Sequence, residues 1–238
     1  ISYGSGGGGN NDDITGTAAE VIYTLQSKSS DYTGNITITD ASGVSISAAT
    51  LSTIGAATTG TVTVSNAVRI GGSAAEVIAA LVTESSKVVA GASGTIANVT
   101  DAVTVAQGQA IAAVSNVRGS FSGGGLSQGG VEDTVSNLYD ANNSAITANF
   151  SAISVEDADF AVTITDAAYS ADNNNVTISA TALSGIGNAT TGTVRVTNAV
   201  SISGTTAEMI AALITDSTKV EVTDASLTIS DTPTSAQF

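Results

Sequence analysis

The chain has 238 residues and a formal charge of −15, from 6 basic and 21 acidic side chains, with no His, no Cys, no Trp, one Pro and one Met. That inventory excludes thiol and disulfide chemistry, zinc sites built on His or Cys, and any acid–base scheme that uses imidazole. Charged residues are 11% of the chain against roughly 25% in an ordinary domain, while 42% hydrophobic content is enough for a core.

In chain order, residues 1–13, with GSGGGG from Gly4, read as a Gly-rich N-terminal arm. A first repeat array, 14–119, opens with ITGTAAEVIYTL from Ile14, where Thr17 stands three residues ahead of Glu20 in the capping-box pattern of a helix start. ISAATLSTI follows from Ile46. TVTVSNAVRI from Thr61 alternates apolar and polar residues with a period of two, which marks a strand with one buried face. IGGSAAEVIAAL from Ile70 repeats the capping pair as Ser73 and Glu76, and VAQGQAIAAV from Val105 closes the array. Residues 120–130, containing SGGGLSQGG, read as a Gly-rich linker or loop, since they lack the lysine of a P-loop and the βαβ context of a dinucleotide site. The second array, 131–238, begins with a weaker copy, VEDTVSNLYDA from Val131. It continues with ISATALSGI from Ile178, TVRVTNAVSI from Thr193 and ISGTTAEMIAAL from Ile202, with Thr205 and Glu208 as the capping pair, and stops at ISDTPTSAQF from Ile229.

The segment Val44 to Val88 returns as Val176 to Val220, displaced by 132 residues without a gap and with about two-thirds of its positions identical. An ungapped match of that length is a duplication. Beneath it runs a unit of roughly 25 residues, each a strand, a turn, a short helical turn and a return. The expected fold is therefore mainly β with short helices: an elongated, repetitive β/α solenoid of β-helix-like coils. One such coil cannot bury both faces alone, so stability requires stacked neighbours.

The pattern IGxATTGTVxVxNAV followed by an Ala-rich capped helix resembles repeats in very large, acidic surface or secreted proteins of cyanobacteria and other marine bacteria. The resemblance covers Val44 to Val88 and Val176 to Val220. It implies an extracellular or cell-surface location and a structural or adhesive role, in proteins some of which also carry calcium-binding repeats. It carries over no catalytic residue.

Calcium is the one cofactor the acidic clusters bring to mind, because hard cations take oxygen ligands. The candidates are Asp12 and Asp13 with Asn10 and Asn11, Asp157 and Asp159 with Glu156, and Asp172 with Asn173 to Asn175. None forms an EF-hand loop, and a solvated turn is the ordinary reading of each, with a cation site as the alternative. Aligning NITITDASGVSIS from Asn35 with AVTITDAAYSADNNNVTIS from Ala161 places a short polar insertion at Asp172 to Asn175. Six Asn-x-Ser/Thr sequons occur, at Asn35, Asn98, Asn142, Asn149, Asn175 and Asn188.

A pI near 4.1 offers no basic footprint for nucleic acid or anionic lipid, and no run approaches the ~20 apolar residues of a membrane span. The opening at Ile1, without Met, is expected of a processed chain or a piece of a longer one. The reading that follows is a non-enzymatic extracellular structural repeat protein. It self-associates as a homopolymer, or serves as a segment of a longer chain, in a surface layer, fibre or filament. Its assembly contacts are expected at Ile1 and Tyr3 at one end and Ile229 and Phe238 at the other. The alternative is a calcium-dependent adhesin module that binds glycans or neighbouring cells.

Overall fold

The computed structural model describes residues 2–3, 11–28, 32–83, 88–121, 129–168, 176–215, 217 and 220–234. Of the expected assembly and cation positions, Ile1, Asp172 and Phe238 lie outside them. The chain divides into two compact units, Ile1–Asp101 with Ala110–Gly123, and Ala102–Gln109 with Gly124–Phe238.

The first unit contains β1 (Ser2–Tyr3), β2 (Ile14–Gly16), α1 (Ala18–Leu25), β3 (Ile36–Ile38), β4 (Ser45–Ser47), α2 (Ala48–Ala56), β5 (Val62–Val64), β6 (Arg69–Gly72), α3 (Ala74–Leu81), β7 (Val88–Ala90) and β8 (Thr95–Val99). Next come β9 (Ala102–Val103), which belongs to the second unit, α4 (Val105–Ala112), through which the division passes, and β10 (Val117–Ser120) of the first. Two sheets result, one in the order β1, β2, β3, β5, β7 and one in the order β10, β8, β6, β4. All their pairings are parallel except that of β1, which runs antiparallel on β2.

Register explains the core. Ile14, Ile36, Val62 and Val88 stand opposite one another in successive strands, and Ile46, Ile70, Ala97 and Gly119 do the same in the second sheet. Because side chains alternate with a period of two, one inward residue per strand builds a continuous apolar column. Phe121, fully buried, lays its ring against Gly119 and closes the second column.

The second unit repeats this plan with β11 (Gly130–Asp133), α5 (Val135–Leu138), β12 (Tyr139–Asp140), β13 (Ala145–Ile146), α6 (Ala148–Glu156), β14 (Val162–Ile164), β15 (Thr177–Ser179), α7 (Ala180–Asn188), β16 (Val194–Val196), β17 (Val200–Gly204), α8 (Thr206–Leu213), β18 (Val220–Val222) and β19 (Ala225–Ile229). Parallel sheets run β18, β16, β14, β11, β9 and β15, β17, β19, and β12 with β13 forms a small antiparallel hairpin. Val131, Val162, Val194 and Val220 form one column, Ile178, Ile202 and Leu227 another. Phe150 and Phe160 meet edge to face at 5.8 Å inside this unit.

The expectation of a mainly β, β-helix-like solenoid is corrected. The described residues form a mixed α/β fold with eight α-helices and strands in parallel sheets. The Ala-rich segments are helices proper, and in α1, α3 and α8 the start is satisfied by a complete capping box: Thr17 with Glu20, Ser73 with Glu76 and Thr205 with Glu208. The helices reach eight or nine residues in α1, α2, α3, α7 and α8, whereas most strands of these layers have three. Alanine and glycine on the buried faces, such as Ala48 and Gly55 of α2 or Ala180 and Gly187 of α7, let neighbouring helices approach closely.

Two glycines, Gly60 and Gly192, are required by close approach. A Cβ on Gly60 would collide with the backbone carbonyl of Gly34, and one on Gly192 with that of Phe160. Gly71, by contrast, has open space around it. Gly60→Ala and Gly192→Ala are each expected to lower unfolding free energy by about 1–3 kcal/mol in urea titration, with Gly71→Ala neutral or slightly stabilising.

Candidate functional site

A helix start leaves backbone N–H groups without intrahelical partners and carries partial positive charge. In this chain an aspartate from the next strand of the same sheet meets that need. The Ala18 amide at the start of α1 donates to Asp40 Oδ2 at 2.7 Å, and Ala74 of α3 donates to Asp101 Oδ1 at 2.6 Å. Val105 of α4 donates to Asp133 at 2.9 Å, Val135 of α5 to Asp166 at 2.7 Å, and Thr206 of α8 to Asp231 at 2.7 Å. In each case the aspartate ends or follows the strand paired with the one that leads into the helix. The carboxylate thus bonds one layer to the layer before it.

The same residues also reach forward. Asn66 Nδ2 donates to the Asp40 carbonyl at 2.8 Å, and Asn198 Nδ2 to the Asp166 carbonyl at 2.7 Å. Three consecutive layers are therefore tied through Asp40, and three more through Asp166. Thr58 and its counterpart 132 residues later, Thr190, add a second tie, donating to the carbonyls of Gly34 and Phe160 while accepting from Gly60 and Gly192.

At Glu20, Glu208 and Asp231 such bonds favour the charged form. Glu20 is held below its ordinary value of 4.5, first by the Thr17 backbone N–H. Glu208 is lowered by the Thr205 backbone N–H and then by the Thr181 hydroxyl, and Asp231 by the Thr206 backbone N–H. A lowered folded-state value stabilises the fold above the unfolded value and ceases to do so as pH falls through the lowered one.

A cavity of about 780 Å³ lies in the second unit, beside the β12–β13 hairpin. Ser136, Asp140, Asn142, Thr147, Asp166 and Thr181 contribute to its wall. Both its carboxylates are engaged: Asp166 caps α5, and Asp140 accepts from the Asn142 amide at 2.9 Å and the Asn143 side chain at 2.6 Å, closing its own turn. The wall mixes hydroxyl and amide groups with the apolar side chains of Val135, Tyr139, Ala141, Ile178 and Ala182.

The cation candidates fall apart spatially. Asp13 accepts from the Asn35 amide at 2.9 Å, and the Asp12 carbonyl accepts from the hydroxyl of Tyr32, so both belong to a turn pinned to the next layer. Burial, then Asp13 and Asp12, push the Tyr32 hydroxyl up to about 12. Asp157 is buried at the end of α6, while Asp159 is exposed. Among the described residues no three His, Cys, Asp or Glu side chains gather as a metal cage. Asp40, Asp101, Asp133, Asp166 and Asp231 were not among the candidates. Their signal was present as Thr-Asp-Ala at Thr39, Thr100 and Thr165, and as Asp-Thr at Asp133 and Asp231, each directly after an apolar alternating run.

Comparison with protein-family models, curated proteins and solved structures finds no match to this chain. No helix among the described residues is long and apolar enough to cross a membrane.

Asp40→Ala and Asp166→Ala are each expected to cost about 1–2 kcal/mol of stability by denaturant titration, with Asn substitutions costing less. In absorbance-monitored alkaline titration a tyrosine step is expected near pH 12, removed by Tyr32→Phe. Because that value is raised, the matching stability is complete below pH 10 and fades as pH rises toward 12.

Proposed function

We propose that the chain is a non-enzymatic structural repeat protein of the cell surface or extracellular space, building a fibre, filament or surface layer through head-to-tail subunit contacts. The observation that carries this reading is the recurring aspartate cap. Five acids that could have served catalysis or ion binding instead hold helix starts in the preceding layer. The cavity beside the β12–β13 hairpin follows the same rule, since Asp166 caps α5 and Asp140 closes its own turn. Low charge density and the absence of cysteine fit a surface made of small residues. The resemblance of Val44 to Val88 and Val176 to Val220 to acidic surface-protein repeats supports the location.

Electron microscopy of the native protein, with calcium and again after chelation, tests the reading. Filaments or sheets with a regular subunit repeat are expected in both conditions, and monodisperse particles in both would overturn it. With a formal charge of −15, self-association is also expected to strengthen as pH falls from 7 toward the pI near 4.1 and repulsion fades. Light scattering unchanged down to pH 4.5 would contradict that.

A further inference from the structure

The fold sorts the six Asn-x-Ser/Thr sequons at Asn35, Asn98, Asn142, Asn149, Asn175 and Asn188. Attachment of a saccharide to asparagine makes three demands on the acceptor. The carboxamide must be free, because its nitrogen becomes nucleophilic only when it is gripped and twisted out of conjugation with its carbonyl. The hydroxyl two residues on must be free to be bound. The three residues must also enter a cleft together, which places acceptors in surface loops.

Asn175 lies outside the described residues. Four of the other five each fail a demand. Asn35 accepts from the Thr61 amide through its Oδ1 at 3.0 Å, and the next residue, Ile36, is buried in β3. Asn98 lies within β8, paired with Gly71 on one side and Ser120 on the other, and Val99 beside it is buried. Asn188 is exposed, but the hydroxyl of its sequon belongs to Thr190, which is buried and donates to the Phe160 carbonyl. Asn149 is exposed in the first turn of α6. Residues two apart on a helix do not face each other, so Asn149 and Ser151 can be gripped together only if that turn unwinds. Unwinding would draw out Phe150, which is fully buried against Phe160.

Asn142 meets all three demands. Residues 141–144 form the turn between β12 and β13, and all four are exposed. Asp140 holds the turn in shape, accepting from the Asn142 backbone amide at 2.9 Å and from Asn143 Nδ2 at 2.6 Å. Asn143 therefore has its carboxamide engaged. The carboxamide of Asn142 and the hydroxyl of Ser144 have no hydrogen-bond partner among the described residues.

We propose that Asn142 is a site of N-linked glycosylation, with Ser144 supplying the hydroxyl that the transferase reads. The donor is an oligosaccharide joined through its anomeric carbon to a lipid pyrophosphate. Asn142 Nδ2 forms a bond to that carbon, the bond from the carbon to the pyrophosphate oxygen breaks, and the lipid pyrophosphate leaves with the electron pair. Nδ2 gives up one proton to a base of the transferase. The inference rests on the cell-surface or extracellular location proposed above, because the modification belongs to chains that leave the cytoplasm.

The test is glycopeptide mass spectrometry of the full chain from its native source, with location fixed by protease treatment of intact cells and by assay of the medium. A saccharide is expected on the peptide containing Asn142 and on none containing Asn35, Asn98, Asn149 or Asn188. Asn142→Gln and Ser144→Ala, both at exposed positions, are each expected to abolish it, whereas Asn149→Gln leaves it in place. A bare Asn142 on chains found outside the cell would overturn the site and leave the location. A bare Asn142 on chains found only inside would overturn both. A saccharide that survives Ser144→Ala, or that occupies a constrained sequon as fully as Asn142, would also overturn the site. Filaments built from chains with a bare Asn142 would remove the site and leave the structural reading, whereas a saccharide at Asn142 of a chain that forms no filament would do the reverse.

Discussion

The bond on which the rest depends is the one between an aspartate carboxylate and the first amide of the helix one layer earlier. It solves two problems with one group. Strands of three residues have little ladder to hold a register, and short helices leave a large share of their amides at the open end. Placing the carboxylate directly after the strand means that helix start and strand register are fixed together. A slip of one residue would break the cap and expose the inward side chain at once. With the capping box, three amides at the start of α1 are satisfied: Thr17 by Glu20, Ala18 by Asp40 and Glu20 by Thr17.

Helix starts differ in whether the next strand supplies an aspartate, and the difference follows the same logic. Helices α1, α3, α4, α5 and α8 receive an aspartate from the next strand. Helices α2 and α7 do not, because β6 and β17 run into Ser73 and Thr205, which are occupied as caps of their own helices. There the side chains of Ser47 and Ser179 cap alone, and burial of Leu51 and Ile54, or Leu183 and Ile186, carries more of the stability. An apolar column per sheet and an acid per capped helix use few residue types, which is how a chain with 4% aromatics and 11% charged residues keeps a unique fold.

Much of this was legible in the sequence. The capping pairs at Thr17, Ser73 and Thr205 located three helix starts, and the alternation from Thr61 and Thr193 located β5, β6, β16 and β17. The 132-residue repeat emerged with matching elements in both copies. Helix length was misjudged, which turned a mixed α/β fold into a mainly β one, because the aspartates that complete the helix starts lie 22 to 31 residues away and no local pattern reveals the pairing. For the same reason attention fell on dense acidic clusters such as Asp12 with Asp13. Single aspartates after strands, each in a Thr-Asp-Ala or Asp-Thr context, held the positions that matter. The antiparallel β1 on β2 was likewise hidden in a Gly-rich arm without alternation.

Amide hydrogen exchange of the folded protein, read residue by residue, tests the central bond most directly. The first helical amides of α1, α3 and α8, at Ala18, Ala74 and Thr206, are predicted to exchange about tenfold or more slowly than those at Ala48 and Ala180, where the next strand brings no aspartate. Asp40→Ala should release Ala18 alone among the three. Equal exchange at all five amides, or an Ala18 unaffected by loss of Asp40, would contradict the claim that interlayer carboxylates hold this fold together.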